Sequence, residues 1–283
     1  RKAAAGELAM LGSAQLGAIE DHLKMRAERR APRDAVLAAM TRFRTIQGKS
    51  SPSDPELDMA AGVLPTLAER RDEATVQAAE SMLLLRSLEA IGGVRAAELA
   101  MQIFALDAGP WKWEARRSTA RFGADLLPVV LQHRLQHPRR HVRSWCNWSL
   151  EALGMPSPGQ AVAGAPRARL VALLKAWGRT RNHEALPVLV SFLGDGHRSV
   201  RTAAREALEA FGKRARWALR DGFLSIRGES APANWGAARL LESIAKIHEA
   251  PRRERAAGHI SQARHLLKTG KPRAAVAALK KVH

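Results

Sequence analysis

The chain has 283 residues, 46% of them hydrophobic and 26% charged. That is enough apolar material for a large buried core or an extended repeat array, and too much for an intrinsically disordered chain. Lys and Arg total 46 against 27 Asp and Glu, a formal net charge of +19 that attracts polyanions and acidic protein faces without dictating a fold.

The single cysteine, Cys146, excludes an internal disulfide and a Cys-rich zinc module, and a reducing cytoplasmic setting is the default. No run approaches the roughly 18 to 20 apolar residues of a membrane span, so no membrane partner is expected.

Residues 1–46 read as helical segments without the apolar h-region of a signal peptide, and the opening on Arg1 reads as that of a fragment of something longer. The stretch QGKSSPSDP, 47–55, reads as a loop or linker. From 56 to 248 the chain repeats itself. GVLPTLAERRDEATVQAAESMLLLRSLEAIG, ADLLPVVLQHRLQHPRRHVRSWCNWSLEALG and HEALPVLVSFLGDGHRSVRTAAREALEAFG each carry an early Leu-Pro pair, at Leu64-Pro65, Leu127-Pro128 and Leu186-Pro187. They close on Gly92, Gly154 and Gly212, and a further unit between the first two closes on Gly123. The closing glycines are 31, 31 and 58 residues apart, the last interval being twice 29.

Each unit reads as two helices. Val200, Ala203, Ala204, Ala207, Leu208 and Phe211 form one apolar stripe at 3.6-residue spacing, and Val142, Trp145, Cys146, Ser149, Leu150 and Leu153 occupy the same register one unit type earlier. The proline falls in the first turn of the first helix, where a missing N–H costs nothing, and the glycine just past the second, where a left-handed cap is cheap. GDGH and QHPRRH break the chain between the helices. Nothing alternates with period two, so an all-α fold without sheet is expected.

The Leu-Pro-x-Leu openings, the pairs Val142-Arg143 and Val200-Arg201, and the Leu-x-x-Phe/Leu-Gly endings resemble the HEAT-repeat family in its short bacterial form. The resemblance covers about 56–248 and weakens around 158–178 and 213–247. It implies an α-solenoid of stacked helical hairpins, each burying its apolar face only against its neighbours. Residues 249–283 resemble the middle of a tetratricopeptide repeat at Ala263, Leu267, Gly270, Ala274 and Leu279, with a capping helical hairpin as the other reading.

In HEAT repeats the arginine at the place of Arg143 and Arg201 ties units together through loop aspartates or carbonyls, and Asp195 is positioned to serve Arg201. The resemblance also implies that second helices line the concave face. Lys112, Trp113, Arg116, Arg143, Asn147, Trp148, Arg201 and Arg205 would then form a basic trough set with tryptophans. Such a trough suits a phosphate backbone, an acidic peptide or a partner helix. His133, His137 and His141 recur at intervals of four, but Pro138 separates them and no carboxylate is near to orient the rings, so a solvated loop is expected rather than a metal site.

No phosphate-binding glycine loop, nucleophile elbow or His-Glu-x-x-His stretch occurs. No catalytic residue, metal or cofactor is expected. The reading is a non-enzymatic scaffold whose basic face binds an acidic partner protein or segment. The alternative is a DNA-binding protein related to the HEAT-like alkylpurine DNA glycosylases, which the chain is similar to in charge and tryptophan content. It departs from them in having no aspartate beside the groove tryptophans, since Asp107 and Asp125 fall at helix ends. A chromophore lyase or modification-enzyme partner has family analogy alone behind it.

Overall fold

The computed structural model describes residues 12, 14–25, 73–106 and 112–279. The expected linker at 47–55 and the Leu64-Pro65 helix lie outside them. Among the described residues every regular element is helical and no strand occurs, so the fold is all-α. The chain divides into two units, Arg1–Ala176 and Trp177–His283.

In the first unit, residues 14–25 are helical and bury Ile19 and Leu23. Then follow α1 (Glu73–Ile91), α2 (Gly93–Leu106), α3 (Lys112–Phe122), α4 (Leu127–Gln136), α5 (Arg140–Ala152) and the one-turn α6 (Pro158–Val162). α7 (Arg167–Thr180) carries the chain into the second unit. α1 packs on α2 and α4 on α5, and contacts also run to the next helix but one: α1 on α3, α3 on α5, and α2 on α4. Two layers result, one of alternate helices α1, α3 and α5 and one of α2 and α4.

Polar contacts at near-repeat spacing stitch the first layer. The buried Glu89 carboxylate on α1 accepts from Ser118 Oγ at 2.8 Å and Arg117 Nε at 3.2 Å, both on α3. Thr119 on α3 and Ser149 on α5 share a buried hydroxyl bond at 3.1 Å. Arg86, on α1 itself, also donates to Glu89 at 3.4 Å, so the buried carboxylate is held from both helices.

The second unit continues with α8 (Leu186–Ser191), α9 (Arg198–Phe211), α10 (Arg216–Arg227), α11 (Ala237–Lys268) and α12 (Pro272–Leu279). The same next-but-one packing holds: α8 on α10 and α9 on α11. All six stripe residues of α9 are buried, and in α5 Val142, Trp145, Cys146, Ser149 and Leu150 are buried while Leu153 is half-buried. Gly178, at the end of α7, lies against α9 so closely that a Cβ there would come within 2.6 Å of the Ala207 backbone. α11 runs unbroken across 248–249 with Pro251 inside it, and α11 and α12 meet through the buried Ala263, Ala275 and Ala278. Leu267 and Leu279 of the tetratricopeptide-like pattern stand exposed.

The closing positions Gly92, Gly123, Gly154 and Gly212 all have positive φ, between 51° and 77°. The unit hidden in the double interval closes the same way without a glycine: Arg181, 31 residues before Gly212, sits at φ +50°. Its neighbour Asn182 donates its N–H back to the Trp177 carbonyl at 3.1 Å, just as Met155 after Gly154 donates to Leu150 at 2.9 Å. This is the 6→1 bond of a helix C-cap. A left-handed non-glycine residue costs about 1–2 kcal/mol, and glycine's extra freedom in the unfolded chain returns about 0.4–1 kcal/mol of that. Arg181→Gly is therefore expected to raise stability by up to about 1 kcal/mol in a urea titration.

Candidate binding surface

In the first unit, α3 and α5 place the expected binding residues on neighbouring helices of one layer. The Arg116 guanidinium lies 5.6 Å from the centroid of the half-buried Trp148 ring. A cation at that distance over an indole face is attracted by the ring quadrupole. Beside Trp148, the exposed Asn147 accepts at Oδ1 from Arg134 Nε at 3.0 Å. Arg134, on α4, thus joins the patch, although sequence spacing alone did not single it out: a 13-residue separation becomes a contact only once α4 and α5 fold onto each other. Lys112 and Trp113 belong to the first turn of α3, and their side chains lie outside the described residues.

Arg143 behaves differently. It is half-buried and turns back onto the loop before its own helix, donating from Nη1 to the carbonyls of His137 at 2.5 Å and Pro138 at 3.0 Å. In the second unit, 58 positions later, Arg201 does the same to Asp195 at 2.9 Å and Gly196 at 3.0 Å. The Asp195 carboxylate is not the acceptor; it takes the His197 N–H at 2.7 Å and shapes the loop. Arg252 on α11 grips the same loop, donating to Gly194 at 2.6 Å and Asp195 at 2.7 Å. Burial, and then the Arg252 charge, lower Arg201 from its ordinary value. Arg205, on the next turn of α9, forms an exposed i,i+4 pair with Glu209 at 3.0 Å, an arrangement that contributes little to stability.

No protein family, curated protein or solved structure matches the chain.

The remaining sequence candidates are spoken for locally. Trp145 is buried and packs its ring against Phe104, centroids 4.6 Å apart. Cys146 is fully buried, and burial pushes its thiol from 9.0 up to about 12, far from the thiolate that nucleophilic or metal chemistry needs. His137 accepts the Arg139 N–H at Nδ1, 3.2 Å away, and its ring meets His133 edge-on. Burial holds His137 below its ordinary value. Among the described residues no group of three His, Cys, Asp or Glu side chains converges to hold a metal. Asp125 pairs with Arg169 at 3.3 Å, and Asp107 lies outside the described residues. No described helix is long and apolar enough to cross a membrane.

Several arginines share a mode of use. Arg143, Arg201 and Arg252 donate to backbone carbonyls, as do Arg139 to Ala105, Arg216 to Ala233 and Arg220 to Ala231. A carbonyl satisfies the donor but brings no formal charge. The positive field of such a guanidinium therefore persists at the surface even where its hydrogen bonds serve the fold.

Proposed function

We propose that the protein is a non-enzymatic interaction scaffold, a HEAT-like helical array of the cytoplasm whose basic surface holds an acidic partner protein or acidic segment. The observation that carries this reading is the carbonyl ligation of several of its arginines, since those acceptors bring no formal charge against the guanidinium. Between Arg134 and Arg181 nine Lys and Arg face one acidic residue, Glu151, and from Arg252 to His283 nine face Glu254. Next-but-one helix packing and the recurrent arginine–loop bond support the HEAT-like part of the proposal. The Arg116–Trp148 pair supplies a cation and an apolar face together, a combination enriched at protein interfaces.

The same pair would also serve a nucleic-acid ligand, with the indole as stacking platform. The test therefore sets the two against each other. Fluorescein-labelled polyglutamate and a labelled DNA duplex are titrated with the full chain, followed by anisotropy over a range of salt. Polyglutamate is expected to bind more tightly, and Arg116→Glu to weaken it roughly 3- to 10-fold at low salt without lowering thermal stability. Tighter duplex binding with a steep salt slope would replace this reading with the DNA-binding one.

A further inference from the structure

The second unit contains an open groove of about 390 Å³ lined by α9, the 3₁₀ turn Gly212–Ala215, α10 and the start of α11. That is within the range of sites that take a small ligand or an anchoring side chain, roughly 300–1,000 Å³. Leu208, Leu219 and Leu241 line it from beneath, each almost fully buried. Its mouth is kept open by Gly212 and Gly236, where an added Cβ would meet nothing within 4 Å, and by the exposed Ala238.

The loop that enters the groove at Gly236 is held in place before anything binds. Arg216 donates to Ala233 at 2.6 Å and Arg220 to Ala231 at 2.8 Å, pinning the loop that leads into α11. Trp235 from that loop packs edge-on against Phe223, and Arg239 stacks over Trp235 at 4.8 Å. An adjoining loop fixed in advance lowers the ordering cost of binding.

The charges at the rim are lopsided. Glu209 is answered by Arg205 at 3.0 Å, and Glu242 by Lys246 at 2.7 Å. Lys213, by contrast, is exposed and makes no ion pair among the described residues. α11 starts with no acidic residue in its first turn, so nothing offsets the positive end of its dipole.

We propose that this groove docks an acidic segment of a partner protein, which sets a leucine-sized side chain in the groove between Gly212, Gly236 and Ala238, over the buried leucines, and a carboxylate against Lys213. Charge complementarity selects this occupant. A second copy of the chain, at +19, would be repelled. A nucleic acid would find no aromatic ring lining the groove on which to stack a base. The site shares no residue with the Arg116–Trp148 surface and does not depend on that surface's role.

The test uses the full chain and a fluorescein-labelled peptide, Glu-Glu-Leu-Leu-Glu-Glu-Leu-Leu-Glu-Glu, with a control in which alanine replaces every leucine. Binding of the leucine peptide is expected to exceed that of the control by about tenfold or more. Ala238→Trp, which fills the mouth, and Lys213→Glu, at an exposed turn, are each expected to weaken it by about tenfold. Ala238→Trp should leave polyglutamate binding unchanged, and Arg116→Glu should leave leucine-peptide binding largely unchanged, so the two surfaces fail separately. Equal binding of the two peptides would overturn the proposal. So would a normally melting Ala238→Trp or Lys213→Glu chain that binds at full strength, or displacement of the peptide by laurate or a DNA duplex at equal concentration.

Discussion

Trp177→Ala is expected to cost the second unit about 3–5 kcal/mol, the range for truncating a buried aromatic side chain. Trp177 is 2% exposed, the largest side chain sealed into the described core. The next residue, Gly178, packs so closely on Ala207 that a Cβ would not fit between them, which leaves the backbones little slack with which to close over the lost indole. The exposed Trp217, at 52%, is the control: its truncation should stay within about 0.5 kcal/mol. Urea titrations by far-UV circular dichroism would measure both. A Trp177→Ala loss below 1 kcal/mol would mean that this part of the core relaxes freely.

The second large effect is expected at the arginine–loop bonds. Arg143→Met and Arg201→Met should each cost about 1.5–3 kcal/mol, the value of hydrogen bonds made by charged donors. The methionine keeps most of the aliphatic stem, so packing is largely preserved and the loss reports the loop carbonyls. Lysine should recover only part, because one ammonium cannot reproduce the guanidinium fork. Arg201 and Arg252 share the Asp195 carbonyl, so their effects should be non-additive in a double-mutant cycle. If Arg143→Met and Arg201→Met melt like the parent chain while partner capture falls, these arginines belong to the binding surface and not to the scaffold.

Much of this was legible from the residue pattern. The α9 stripe, the left-handed glycines and the prolines in the first turns of α4 and α8 follow from local periodicity and backbone chemistry, which a linear chain displays. The doubled interval pointed to a unit between Gly154 and Gly212 but not to where it closes, because Arg181 takes a glycine-like conformation there. The partners of Arg134, Arg139 and Arg252, 13, 34 and 57–58 residues away, were not legible. An arginine's composition signals positive charge; only the folded layers reveal whether its donors meet solvent, an indole or a peptide oxygen. The continuity of α11 across 248–249 was equally hidden, since it shows only once α11 is seen resting on α9 and α10.

The clamp by Arg143 and Arg201 holds main-chain oxygen, which every amino acid possesses. One loop offers His137 and Pro138 to it and the other Asp195 and Gly196, side chains with nothing in common. The connections between paired helices are thus free to be rewritten residue by residue while the stack stays bolted. A helical stack built this way can vary its loop edge without renegotiating its own assembly.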